Sequence, residues 1–86
     1  MVTKEVKVSN SKGLHARPAT LLVRKAASFK SDIGIEFLGK KANIKSLIGV
    51  LSLGVGLNTI VNVMANGVDE KLALEEIVTL INSLEE

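Results

Sequence analysis

The sequence predicts an α+β fold of two layers, a four-stranded antiparallel sheet covered on one face by three helices. Three observations carry this. Apolar and polar residues alternate in short runs, the period of half-buried strands. Elsewhere apolar residues recur at helical spacing, giving stripes suited to packing on a sheet. Finally, the chain has 86 residues, 47% of them hydrophobic but only Phe29 and Phe37 aromatic, so it has one small aliphatic core to fill.

The elements follow in order. Val6 and Val8 alternate with Glu5 and Lys7 as a first strand, and Ser9 to Gly13 read as a loop. From His15, the residues Ala19, Leu22, Val23, Ala26 and Ala27 mark a helix, with Arg24 and Lys25 on its other side. Pro18 falls in the first turn, where its missing N–H costs no intrahelical bond. Ile33, Ile35 and Phe37 form a second strand, Leu38-Gly39-Lys40 a tight turn, and Lys40 to Ile44 a returning strand. Ser46 is the expected N-cap of a short helix through Leu53, which Gly54 stops. After a loop at Gly56 to Asn58, Val61, Val63 and Ala65 share one face of a fourth strand, with Asn62 and Asn66 on the other. Gly67 turns the chain, Asp69 caps a last helix, and Ala73, Leu74, Ile77, Val78, Ile81 and Leu84 form its apolar stripe. The order is β-α-β-β-α-β-α. Glu85-Glu86 reads as a solvated tail.

Composition narrows the function classes. The chain has no cysteine and a single histidine, so disulfides and thiolate or zinc sites are excluded and no metal is expected. Absence of cysteine fits a cytoplasmic location. No continuous apolar stretch approaches the roughly 20 residues of a membrane span, so no membrane insertion is expected. A net charge of +2 without stacking aromatics argues against direct nucleic-acid binding. The glycines between Gly49 and Gly56 lack the Gly-x-x-x-x-Gly-Lys-Ser/Thr spacing of a nucleotide loop, and no cofactor is implied.

Chemistry concentrates at His15, the chain's single histidine and the one residue of a type whose unperturbed charge change lies near neutral pH. A histidine at a helix start is often only a surface or cap residue. Here the N–H groups of Ala16 and Arg17 open the helix and attract an anion, with the macrodipole adding to their hydrogen bonds. Arg17 offers a guanidinium that matches phosphate oxygens, and Pro18 fixes the local backbone. A nucleophilic imidazole beside an anion-binding helix end suits phosphoryl transfer through histidine.

The segment Gly13-Leu14-His15-Ala16-Arg17-Pro18-Ala19 resembles the active-site signature of the HPr family, the histidine-containing phosphocarriers of the bacterial sugar phosphotransferase system. A second segment, Lys45-Ser46-Leu47-Ile48-Gly49-Val50-Leu51-Ser52-Leu53-Gly54, resembles that family's regulatory-serine region at the matching separation. The resemblance runs from the first strand to the last helix and implies a single domain over residues 1–86 with the family's open-faced β-sandwich.

The resemblance implies a carrier rather than an enzyme. His15 would accept a phosphoryl group on Nδ1 from enzyme I, which takes it from phosphoenolpyruvate, and pass it to the IIA domains of sugar permeases. Ala16, Arg17 and Pro18 would form the phosphate-binding turn. Ser46 would be phosphorylated by the HPr kinase/phosphorylase, and that form would serve the catabolite control protein as corepressor. Serine is also simply a common N-cap, so a purely structural role stands beside the regulatory one. Leu47, Ile48 and Leu51 lie on one side of the short helix and, with Gly49, Thr20 and Arg24, would form a docking patch. The alternatives are that the apolar three close over the core and that Arg24 and Lys25 belong to a solvated helix face.

Overall fold

In the computed structural model, described over residues 1–84, the elements are β1 (Val2–Val8), α1 (Ala16–Ala27), β2 (Asp32–Phe37), β3 (Lys40–Asn43), α2 (Leu47–Ser52), β4 (Thr59–Asn66) and α3 (Glu70–Ser83). The acidic pair Glu85-Glu86, read from sequence as a tail, lies outside the described residues. The four strands form one antiparallel sheet in the order β1-β4-β2-β3. This is the predicted two-layer α+β architecture with the predicted element order.

Register explains why one face is buried. Val6 pairs with Val61 and Lys4 with Val63 across β1 and β4, while Ile33 pairs with Ala65 and Ile35 with Val63 across β2 and β4. Because successive side chains alternate faces, these pairings gather Val6, Val8, Ile33, Ile35, Val61, Val63 and Ala65 beneath the helices, and all are buried. The helices close the layer with Ala19, Leu22, Ala26, Val50, Ala73, Ile77 and Ile81. Fully burying a Leu or Ile side chain contributes roughly 1.5–3 kcal/mol, so the aliphatic core can outweigh the lack of aromatics.

Two expectations need correction. Ala27 is exposed and Val23 half-buried, so the buried stripe of α1 is Pro18, Ala19, Leu22 and Ala26. Each residue advances 100° around the helix, and Ala27 falls one step past the edge of the stripe. Asp69 stands at the N-cap position of α3, but its side chain does not cap that helix. It accepts instead from the backbone N–H groups of Lys30 and Ser31, both at 2.9 Å, and from the Ser31 hydroxyl. The carboxylate is spent on tying the segment before β2 to the start of α3.

The β2–β3 turn places Leu38 at φ 52° and Gly39 at φ 80°. Two successive positive-φ residues match the twist of a two-residue hairpin, and Leu38 enters this conformation with its side chain 84% exposed.

Candidate functional site

His15 is the N-cap residue of α1, with extended backbone at φ −81° and ψ −170°. Its carbonyl accepts the first intrahelical bond, from Ala19 N–H at 2.9 Å. Its side chain does not cap the helix, and the first turn contains no acidic residue. The positive end of the α1 macrodipole therefore has no carboxylate to oppose it locally. Among the ring atoms Nε2 is enclosed by the protein and makes no hydrogen bond.

The loop before His15 sets where that ring stands. Leu14 is buried and donates its N–H to the Val55 carbonyl at 2.9 Å, while Asn58 donates to the Val8 carbonyl at 2.7 Å. The loop leaving β1 is thus joined to the segment entering β4. Gly13 has φ +63°, and a Cβ there would overlap the Val55 carbonyl oxygen and lie 2.6 Å from Gly56 Cα. Only glycine fits that approach.

Around the histidine, Ala16 and Arg17 are exposed, Pro18 is buried, and Thr20 is half-buried with its hydroxyl donating to the Ala16 carbonyl at 2.7 Å. Arg24 is exposed, but Lys25 lies 3.1 Å from Glu76 of α3. Of these two basic residues, Arg24 is the outward one.

Packed beside α1, the short helix α2 is anchored by Val50, which is fully buried. Its other apolar residues face out, Leu47 at 38%, Ile48 at 81% and Leu51 at 39% exposed. They do not close over the core. Leu21 of α1 is also exposed, at 42%, and sequence reasoning missed it. The signal was available: Leu21 sits off the buried stripe, four residues after Arg17 and three before Arg24.

Ser46 is the N-cap of α2, its Oγ accepting from Gly49 N–H at 3.1 Å. A Cβ on Gly49 would lie 3.2 Å from that oxygen, so the glycine keeps space open beside the serine. Three residues beyond the end of α2, Val55 supplies the carbonyl that accepts from Leu14 of the His15 loop. Six helical residues span about 9 Å. Among the described residues, no group of three or more His, Asp or Glu side chains is placed to hold a metal, and no helix is long and apolar enough to cross a membrane.

Comparison with known proteins agrees with this arrangement. The family model described as PTS HPr component phosphorylation site matches residues 2–83. The HPr-C-His protein of Thermoanaerobacter tengcongensis is 43% identical, with 96% of this chain and 93% of that one covered at a TM-score of 0.93. The phosphocarrier protein HPr of Bacillus anthracis is 42% identical, with 92% and 94% covered at 0.89. The catabolite repression protein Crh of Bacillus subtilis is also 42% identical, with 100% and 99% covered at 0.79. With the same fold, the same element order and a family match over almost its whole length, the chain belongs to the HPr family, the phosphocarriers of the phosphotransferase system.

Proposed function

We propose that this protein carries a phosphoryl group on Nδ1 of His15, taking it from enzyme I and giving it to IIA domains of sugar permeases in the cytoplasm. The observation that carries the reading is the state of the imidazole. It stands at an uncapped helix N-terminus with Nε2 enclosed, so Nδ1 is the nitrogen left to attack phosphorus. As the Nδ1–P bond forms, the bond from phosphorus to the donor's leaving group breaks, and the phosphoryl oxygens come to lie over the first turn of α1. There the turn formed by Ala16, Arg17 and Pro18 and the Arg17 guanidinium stabilise the charge.

The strength of that stabilisation suits a carrier. A charge at an exposed helix end gains only about 0.3–1 kcal/mol from the dipole, too little to trap the group. A phosphate buried among fixed donors would be held against onward transfer.

Docking falls to the exposed apolar residues Leu47, Ile48 and Leu51, beside Gly49 and Thr20, with Leu21 continuing the surface on α1 and Arg24 at its rim. An apolar centre with a basic edge fits an acidic-rimmed apolar partner surface.

Ser46 is the regulatory site in this reading. Phosphorylation by the HPr kinase/phosphorylase adds about −1.5 to −2 charges next to Leu47 and Ile48. With Ser46 at the far end of α2 from the histidine loop, the phosphate acts on docking of enzyme I rather than on the imidazole. The similarity to Crh supports the further role of this form as corepressor for the catabolite control protein.

Incubation with enzyme I, phosphoenolpyruvate and Mg²⁺, followed by intact mass measurement before and after acid, tests the carrier role. One acid-labile phosphate is expected on the native chain and none on His15→Ala. Uptake by His15→Ala at the native rate would refute the assignment. Ser46→Asp is expected to slow uptake, and an unchanged rate would count against regulation at that serine.

A further inference from the structure

We infer that Asn10 is a positioning residue for His15, its amide clamping the loop before the histidine so that the imidazole is presented in one direction. The inference rests on the carrier reading of His15. Asn10 is only 4% exposed. Its Nδ2 donates to the Gly13 carbonyl at 2.6 Å, and its own carbonyl accepts the Gly13 N–H at 3.1 Å. One residue thereby holds both backbone polar groups of Gly13.

Gly13 in turn lies against Val55 and Gly56 too closely for any side chain, and Leu14 is fastened to the Val55 carbonyl at 2.9 Å. The loop is gripped from two sides, by the Asn10 amide from within and by the segment before β4 from without. His15 comes next, and its side chain neither caps α1 nor gives Nε2 a partner. With no such bond from the ring to orient it, the direction of the imidazole follows the backbone that delivers it. A buried amide is costlier to desolvate than an apolar side chain of similar size, and the bond from Nδ2 to the Gly13 carbonyl, which shapes this backbone, offsets part of that cost.

Displacing a reacting group by about 1 Å can cost on the order of 100-fold in rate. Asn10→Ala removes the clamp at a loop residue that belongs to neither α1 nor α2. In phosphoryl uptake from enzyme I, measured well below the variant's own melting temperature, kcat is expected to fall by about 10- to 100-fold with KM for the carrier unchanged. Asn10→Asp, which has no hydrogen to donate to the Gly13 carbonyl, is expected to fall with it. A folded Asn10→Ala variant with native kcat, or one whose loss lies in KM, overturns the inference. Should Asn10→Ala fail to fold, Asn10→Ser is read by the same kcat and KM criteria. The native chain and His15→Ala run alongside separate the two readings. No uptake by the native chain overturns the carrier reading and this inference with it, whereas native uptake with unaltered Asn10 variants overturns this inference alone.

Discussion

Where β1 begins and β4 finishes, carboxylates bind the connecting segments together. Asp69 accepts from Lys30 and Ser31, and Glu70 accepts from Gly67 N–H at 3.1 Å and lies 3.3 Å from the N-terminal ammonium. Where β1 finishes and β4 begins, the chain is held just as closely up to Leu14, through Val55 and Gly13, and then stops making bonds through its side chain at His15. The first end uses its charges on itself. The second builds an ordered backbone and leaves an imidazole and a patch of apolar side chains with no such use inside the molecule. The contrast teaches that rigidity and reactivity are divided within a few residues. A carrier needs its nucleophile held still by neighbours and also open to two successive partners.

The largest effect expected from disturbing this division is at Gly13. Gly13→Ala forces a Cβ into the Val55 carbonyl at a backbone angle that L residues disfavour, and should cost about 3 kcal/mol of stability by chemical denaturation. Phosphoryl uptake should fall as well. A variant within about 0.5 kcal/mol of the native chain would mean that the loop is free to move and that the clamp is not tight.

At the opposite end the sensitivity is to acid. Hydrogen bonds from the Ser31 hydroxyl and the Lys30 N–H lower the Asp69 pKa from 3.8 to about 2. A carboxyl with a depressed folded-state pKa contributes stability that is complete above its unfolded value and disappears as the pH falls through the folded one. Asp69→Asn should therefore be less stable than the native chain at neutral pH, with the difference shrinking between pH 3.8 and about 2. A difference that stays constant across that window would show that the bonds do not depend on the charge. Glu70 is lowered in the same direction, mainly by the Gly67 N–H, so it adds to the native chain's acid sensitivity.

The smallest effect on folding is expected at Ile48, which is 81% exposed. Ile48→Ala should change stability by no more than about 0.5 kcal/mol yet raise KM for uptake from enzyme I. An unchanged KM would remove Ile48 from the docking surface.

Much of this was legible in the sequence because periodicity is local. Alternation at Ile33, Ile35, Val61 and Val63 fixed which face of the sheet is buried, and the Gly13-to-Ala19 motif located the histidine at a helix start. What escaped was tertiary. Asp69 looks like an N-cap because a cap is defined by its own helix, yet the donors it serves come from Lys30 and Ser31, far back in the chain. Ala27 joins the apolar spacing of α1 in sequence, but apolar character does not reveal where a helix face ends. Asn10 gives no sign of burial, since an Asn in a loop usually faces water and its 4% exposure depends on tertiary packing. Leu21 escapes for the opposite reason, being an apolar residue on the helix face that also carries Arg17 and Arg24.

If His15 carries the phosphoryl group, its enclosed Nε2 leaves Nδ1 to take it. Nuclear magnetic resonance of the ¹⁵N-labelled chain, phosphorylated by enzyme I and phosphoenolpyruvate, tests this directly through the coupling between phosphorus and the ring nitrogens. A single phosphorus coupled to Nδ1 of His15 is expected. Coupling to Nε2, or phosphate on any other residue, would contradict it.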